Sequence, residues 1–510
     1  MKLRQTLTYE PVALGFGTSG LRGLLTDMTD LECYINAKGF IDFARQDNPS
    51  ATKVYLAGDL RDSTPRIMRV VAQAIIDSGL QYENCGLIPT PALAYYAQQH
   101  DQPGIVVTGS HIPANRNGIK FYKSAGEVLK MDEAAIHEAV DRVRSAEYDN
   151  ETSLFNAQGE HTRLLELEPV NMTATESYKQ RYTKAFDQRP LADKHIVMYQ
   201  HSAVGRDLIP EILEMLGAKV TRVGKSDVFV PIDTENVGPK EEAYFQSLAA
   251  QYPDNFAIIS TDGDSDRPFL IDETGVFHRG DVLGLPTTDL LGIRGVAMPV
   301  SANDAVIQYC QEKGIACQTT KIGSPHVILA MQHLQSQTNE VAGWEVNGGY
   351  LLGSAITMPN GALLQALPTR DALLPIIGAL VQALSTNQSI SALFASYPRR
   401  FTQAGLIDNF PTAASQKILE ELKDLERAQE IIGQVASPAN RLINLVSIDA
   451  TDGIRMRFKN DDVLHIRPSG NAPQLRAYSN AASQSRADEI VAMSVREPDG
   501  ILRRLQQRLT

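Results

Sequence analysis

The chain is 510 residues long, 43% hydrophobic and 21% charged, with a formal net charge of −12. Such a composition belongs to a soluble globular protein of three or four domains, and its negative sign argues against nonspecific nucleic-acid or anionic-membrane binding. Only four cysteines occur, Cys33, Cys85, Cys310 and Cys317, and none has the C-x-x-C spacing of a zinc site. The chain opens without an apolar signal core. Its longest apolar stretch, residues 372–380, is interrupted by Pro375 and is too short to span a bilayer. A cytoplasmic, reducing location is expected from this.

In chain order, the first periodic unit begins with Lys53-Val-Tyr-Leu-Ala57, a strand pattern. Asp62-Ser-Thr-Pro65 then offers a cap and a proline for the first helical turn. Ile67, Val71, Ala74 and Ile75 fall on one helical face, which Gly79 closes. Gly104-Ile-Val-Val107 reads as a buried strand. It runs into Thr108-Gly-Ser-His-Ile-Pro-Ala-Asn-Arg-Asn-Gly-Ile-Lys120, a tightly shaped loop punctuated by Gly, Pro and Asn. Inside that loop sit one hydroxyl, one imidazole and two cations: Ser110, His111, Arg116 and Lys120. Positive neighbours suit a serine that carries a phosphoryl group, because they stabilise a doubly charged ester and the charge spread over its oxygens during transfer. A serine that merely caps the loop, beside a solvated lysine, is the structural alternative.

A helix carrying Ile136, Val140 and Val143 follows, then a polar, aperiodic connection over residues 151–172. The second unit has His195-Ile-Val-Met-Tyr199 as strand, a helix with Leu208, Ile212, Met215 and Leu216 closed by Gly217, and Val220-Thr-Arg-Val223. Beyond it, Phe256-Ala-Ile-Ile259 leads to Asp262, Asp264 and Asp266 at alternate positions. Three carboxylates so close repel one another, and the simplest relief is a hard cation with oxygen ligands, Mg²⁺ or Ca²⁺. An EF-hand is disfavoured, because Arg267 stands at the sixth position where that loop needs glycine. Arg267 would instead suit a phosphate held against the metal.

The third unit has Gly295-Val-Ala-Met298, a helix near residues 305–313, Gly314, and Ile315-Ala-Cys-Gln-Thr319. Lys321 and His326 follow in a segment without an assigned role. The C-terminal part differs, with successive strands at Val446-Ser-Ile-Asp-Ala450, Ile454-Arg-Met-Arg-Phe458 and Val463-Leu-His-Ile466, and helical patterns at residues 418–425 and 487–495. The expected fold is α/β: three similar α/β domains with mixed sheets plus a smaller C-terminal α+β domain, bounded at 1–172, 173–275, 276–398 and 399–510.

Five segments carry a resemblance. Gly17-Thr-Ser-Gly-Leu-Arg-Gly23 and Thr108-Gly-Ser-His-Ile-Pro113 come first. Asp262-Gly-Asp-Ser-Asp-Arg267, Trp344-Glu-Val-Asn-Gly-Gly349 and Arg467-Pro-Ser-Gly-Asn-Ala-Pro473 follow in that order. In this order they resemble the signatures of the α-D-phosphohexomutases, and they reach from about residue 15 to about 478. Three positions depart from the family pattern: Ile112 stands where Asn is usual, Trp344 where Gly precedes the sugar-loop acid, and Ser265 where Gly or Ala is usual.

The resemblance implies a four-domain arrangement around a central cleft, and an enzyme interconverting hexose 1-phosphate and hexose 6-phosphate through a phosphoserine at Ser110. A hexose 1,6-bisphosphate would serve as intermediate and activator. It further implies Mg²⁺ on Asp262, Asp264, Asp266 and Ser110, with His111, Lys120, Arg22 and Arg267 as catalytic candidates. Glu345 and Asn347 would bind sugar hydroxyls, and Arg467, Ser469, Gly470 and Asn471 the nonreacting phosphate. Length and the divergent sugar loop favour the phosphomannomutase branch by analogy, with phosphoglucomutase or phosphoglucosamine mutase as alternatives. More distant are a metal-dependent sugar-phosphate phosphatase and a noncatalytic sugar-phosphate binder. The expected partner is a small phosphosugar, with no nucleic acid and no membrane, on a monomer or homodimer.

Overall fold

A computed structural model of the chain describes residues 1–17, 20–186, 188–235, 237–436, 442, 444–469 and 473–510. The chain divides into two compact units, Met1–Gly295 with Gly323–Phe394, and Val296–Ile322 with Ala395–Thr510.

The first unit opens with a seven-stranded mixed sheet. Its order is Gly15–Phe16, Gly20–Leu24, Arg116–Lys123, Gly104–Val107, Lys53–Gly58, Gln81–Leu87, with Gly126–Glu127 added beside Arg116–Lys123. Lys53–Gly58 pairs parallel with both of its neighbours, as a strand–helix–strand pattern requires, and the helix Thr64–Asp77 makes the crossover. Pro65 lies in the first turn of that helix, and Gly79 follows it at φ 77°, a conformation open to glycine without penalty. The helix Asp30–Asp47 packs over the same sheet, and Phe40 stacks on Phe121 at 4.4 Å between ring centroids. No helix or strand occurs between Tyr148 and Thr173, in keeping with the polar connection read there.

A second sheet in this unit runs Phe277–His278, Pro268–Asp272, Ala257–Thr261, His195–His201, Lys219–Lys225. Its central strands are parallel, whereas Ala257–Thr261 and Pro268–Asp272 form an antiparallel hairpin. The hairpin turn is the Asp262–Arg267 segment, so the three aspartates sit on a tight reversal between two fully buried strands. A third group, Val341–Trp344, Tyr350–Leu352 and Leu367–Asp371, is antiparallel, and residues 345–349 turn between its first two strands.

In the second unit, Gly295–Pro299 and Ala316–Thr320 flank the helix Asp304–Lys313, which Gly314 ends in the left-handed conformation. The five-stranded antiparallel sheet has the order Phe401–Ile407, Leu475–Ala481, Val463–Pro468, Ile454–Phe458, Leu445–Asp449. Ile418, Ile431, Ile454, Ile466, Ile490 and Leu505 share its core. The helix expected at 418–425 is a correction: Thr412–Glu421 ends there, and a second helix, Leu425–Val435, begins after Asp424, whose carboxylate accepts from Arg427 N. A capping aspartate thus breaks an apolar pattern that runs on through it. Among the described residues no helix is long and apolar enough to cross a membrane.

Candidate active site

The serine loop is shaped from behind by two buried charges. Asp59, just past the strand Lys53–Gly58, accepts from Thr108 Oγ1 at 2.7 Å and from Gly109 N at 3.3 Å. Arg61 pairs with Asp59 and spreads its guanidinium over four loop carbonyls: Ser110 at 2.9 Å, Ile112 at 2.6 Å, Pro113 at 2.9 Å and Arg116 at 2.9 Å. A Cβ on Gly109 would stand 2.6 Å from the Arg61 guanidinium carbon, so only glycine admits this packing. Ile112 contributes its carbonyl to Arg61, and the missing Asn side chain leaves that bond intact. Ser110 itself sits at φ 53°, a left-handed conformation that a serine adopts at a cost.

That conformation directs the Ser110 hydroxyl at the Asp262–Arg267 turn, where Oγ donates to Asp262 Oδ2 at 2.6 Å. His111 Nδ1 lies 3.3 Å from the same oxygen. Burial, followed by the charges of Arg267 and Arg22, drives the His111 imidazole down to about 2, so the ring is neutral. Gly263 allows the approach, since a Cβ there would stand 2.6 Å from Ser110 O and 2.9 Å from Phe229.

Asp262, Asp264 and Asp266 are fully buried, with ligand oxygens all within 4.8 Å of one another. Ser265, between two of them, takes φ 58°; its hydroxyl accepts from Gly205 N at 2.9 Å and shares a hydrogen bond with Thr261 Oγ1 at 2.8 Å. The departure from Gly or Ala therefore brings its own anchors. Thr90 donates to Asp264 Oδ2 at 2.6 Å, and Lys120 Nζ lies 2.6 Å from Oδ2 of both Asp264 and Asp266.

The electrostatics of the triad fit a hard cation. Burial, then the charges of Asp264 and Asp266, push the Asp262 carboxyl well above the usual carboxylate range. Burial would raise Asp266 too, but Lys120, Arg370 and Arg267 outweigh it and hold that carboxyl well below its ordinary value. Asp264 Oδ1 and Asp266 Oδ1 are buried without a hydrogen-bond donor. Unpaired buried acceptors beside a carboxyl that resists ionisation are the deficit a divalent ion with oxygen ligands removes. Lys120 also loses solvation by burial, and Asp264 and Asp266 more than offset that, so its ammonium is held protonated.

Arg267 donates its backbone N–H to Asp262 Oδ1, and its side chain reaches Asp233 at 3.6 Å and Glu235 at 3.5 Å. Arg22 is exposed on the strand Gly20–Leu24, in electrostatic range of Arg267, Arg370, Asp264 and Asp266. In the turn at residues 345–349, Gly348 reverses the chain at φ 85° and donates to Glu345 O at 2.9 Å. Asn347 accepts from Gly349 N at 3.0 Å and donates to Glu345 Oε2 at 3.4 Å. Trp344 does not enter the loop. It ends the strand, stacks on Tyr350 at 5.4 Å and donates to Asp281 O at 2.7 Å, so its bulk goes into the core.

The first unit thus brings together Ser110, His111, Lys120, the three aspartates, Arg267, Glu345 and Asn347. Arg467 and Ser469 belong to the second unit, where Arg467 Nε donates to Asp452 at 2.9 Å and Ser469 N to Gln474 O at 2.9 Å. Gly470 and Asn471 lie outside the described residues. His326 is half-buried in the first turn of the helix Ser324–Leu334, and Lys321 is exposed. Sequence reasoning missed Asp59, Arg61, Thr90 and Arg370. Asp59 and Arg61 had a local signal, charges directly after an apolar strand; Thr90 and Arg370 had only the chance of a polar residue beside buried ones.

Known proteins resemble this chain along most of its length. The chain matches the family descriptions phosphoglucomutase/phosphomannomutase alpha/beta/alpha domain I over residues 13–147, alpha/beta/alpha domain III over 285–401, and C-terminal domain over 409–497. It is 40% identical to a phosphomannomutase of Salmonella muenchen over 95% of this chain and 96% of that one. It is 37% identical to a phosphomannomutase of Sinorhizobium fredii NGR234 over 94% and 98% respectively. The fold is similar to the crystal structure of a phosphoglucomutase/phosphomannomutase family protein from Burkholderia thailandensis, with a TM-score of 0.71 at 17% identity, covering 96% of this chain and 97% of that one. A serine poised on an acidic triad, in a chain that keeps this similarity from end to end, belongs to the phosphoglucomutase/phosphomannomutase family, the α-D-phosphohexomutases.

Proposed function

We propose that the chain is a phosphomannomutase, interconverting mannose 1-phosphate and mannose 6-phosphate. In its loaded form Ser110 carries a phosphoryl group. The bond from phosphorus to Ser110 Oγ breaks as one forms to O6 of mannose 1-phosphate, and in net the O6 proton passes to Ser110 Oγ, which returns to its hydroxyl form. The resulting 1,6-bisphosphate turns over. Its 1-phosphoryl group passes to Ser110 Oγ, in net the serine proton goes to O1, and mannose 6-phosphate departs. Asp262, Asp264 and Asp266, with an oxygen at Ser110, would hold one Mg²⁺, which supplies charge neutralisation to the transferring group. Lys120, kept protonated, adds fixed positive charge at the same point, and neutral His111 orients the serine oxygen. Glu345 and Asn347 read sugar hydroxyls. The resemblance gives Arg467 and Ser469 the role of binding a phosphate group.

The observation that carries the reading is the 2.6 Å bond from a left-handed Ser110 to Asp262, a nucleophile aimed at a buried acidic triad. The choice of mannose rests on the two relatives named phosphomannomutase, 40% and 37% identical to this chain. Incubation with Mg²⁺, a trace of the matching 1,6-bisphosphate and each of mannose, glucose and glucosamine 1-phosphate, followed by phosphorus NMR, tests it. The highest kcat/KM is expected for mannose 1-phosphate. Stoichiometric release of inorganic phosphate would instead mean a phosphatase, and preference for glucose or glucosamine phosphate would overturn the assignment of the sugar.

A further inference from the structure

We propose that Arg370 is a positioning residue that couples sugar recognition to phosphoryl transfer, by holding the carboxylates of Glu345 and Asp266 on one guanidinium; this rests on the mutase reading above. Arg370 lies on the strand Leu367–Asp371, outside all five sequence signatures, and is 5% exposed. Its Nε lies 3.0 Å from Asp266 Oδ2, and its Nη1 lies 3.2 Å from Glu345 Oε2 and 2.9 Å from Ser324 Oγ. One flat cation therefore joins a triad carboxylate to the acid of the sugar loop, two groups 79 residues apart in the chain.

The cation is itself anchored. Ser324 Oγ donates to Glu127 Oε2 at 2.6 Å, and Thr369, the neighbour of Arg370, donates to Glu127 Oε1 at 2.5 Å. Its stem is confined as well. A Cβ built on Gly349 would stand 2.6–2.8 Å from Cβ, Cγ and Cδ of Arg370. The last glycine of the sugar loop is thus the floor on which the Arg370 stem lies, and any side chain at position 349 would displace it. A guanidinium presents its N–H groups in a rigid fork, so it fixes the spacing of two carboxylates; a lysine offers one mobile point charge and does not. Asp266 keeps Lys120 as a second cation, whereas among the described residues Glu345 makes its ion pair with Arg370 alone. Loss of Arg370 should therefore disturb the sugar loop more than the triad.

The test compares wild type, Arg370→Ala, Arg370→Lys and Gly349→Ala. In Arg370→Ala the Kd of mannose 1-phosphate, measured by calorimetry on the metal-free protein, should rise about tenfold or more, as expected when a buried carboxylate loses its charged partner. KM should rise with it, kcat should fall, and millimolar guanidinium ion should restore part of both, while Arg370→Lys should not. Gly349→Ala, which keeps Arg370 but lifts its stem, should raise KM in the same direction even if Arg370→Ala proves unstable. An unchanged Kd and KM in Arg370→Ala, or in Gly349→Ala where Arg370→Ala does not fold, overturns the proposal. Wild-type protein that leaves every hexose phosphate unconverted counts against the mutase reading, a result separate from the binding comparison.

Discussion

The serine loop and the metal loop use the same device, a serine in the left-handed region, yet they are held in opposite ways. Ser110 at φ 53° is fixed by a guanidinium spread over neutral carbonyls, and Asp59 balances that guanidinium behind the loop. Ser265 at φ 58° is held by neutral hydroxyl bonds, but the carboxylate of Asp266 beside it depends on Lys120, Arg370 and Arg267 for its charge balance. The first loop is complete without any further ion. The second has buried oxygens still lacking a donor. The Ser110 geometry is therefore built into the polypeptide, whereas the acidic loop depends on cations.

Removing the nucleophile should have the largest effect. Ser110→Ala should abolish the single phosphoryl adduct seen by intact mass after exposure to a hexose 1,6-bisphosphate, and lower turnover by about a thousandfold or more; a full adduct in that variant would place the phosphoserine elsewhere. Next comes Arg61→Met, which leaves Asp59 buried without its partner and should cost about 3 kcal/mol of stability. It should also lower kcat by about a hundredfold through misplacement of Ser110. Since this loop needs no ion, Mg²⁺ should still raise the Tm of that variant. If Arg61→Met loses the Mg²⁺ response, the two loops are not independent.

Acid tests the support behind the metal loop. His201 is bonded to Thr261 O at 2.7 Å, and burial, opposed by that bond and aided by Arg206, holds its imidazole down to about 4. Its folded value lies below the unfolded one, so the unfolded chain takes up the proton first. The contribution of His201 to stability should fall between about pH 6.5 and pH 4 by up to about 3 kcal/mol, then level off. His201→Gln should make the acid limb shallower in urea titrations, with His465 and His111, also held down by burial, supplying the remainder, and an unaltered limb would exclude a contribution from His201. Asp264→Asn removes one ligand charge and should weaken Mg²⁺ binding about tenfold, roughly 1.4 kcal/mol, read as a lost Tm shift. The smallest effect compares Ser265→Ala with Ser265→Gly. The alanine keeps the left-handed strain and loses the hydroxyl bonds, costing about 1–2 kcal/mol, while the glycine relieves the strain and should cost about 1 kcal/mol or less.

What was legible in the sequence was what is contiguous. Ser110 and the alternate aspartates each follow an apolar strand within a few residues, so local pattern and chemistry coincide. The repeated strand–helix–strand units were legible because their helices bury one face. The helix Asp30–Asp47 was not singled out, since it buries residues on nearly every side and offers no one-sided period. The helix at 418–425 was misplaced because apolar spacing continues across the Asp424 cap. Arg61 and Arg370 escaped because their partners are brought to them only by tertiary folding: Arg61 meets carbonyls about fifty residues away, and Arg370 meets acids in two other loops.

The bond from Ser110 to Asp262 has a consequence for the resting state. Esterifying Ser110 deletes the hydrogen that Asp262 accepts and sets a dianion against a carboxyl that burial already keeps from ionising. Loading thus replaces a hydrogen bond with a dianion whose charge Lys120 offsets only in part, and a divalent ion on the acidic triad would supply the rest. The loaded protein should bind divalent ions more tightly than the unloaded one, so ionic supply, as well as bisphosphate supply, governs how long the enzyme stays charged between turnovers.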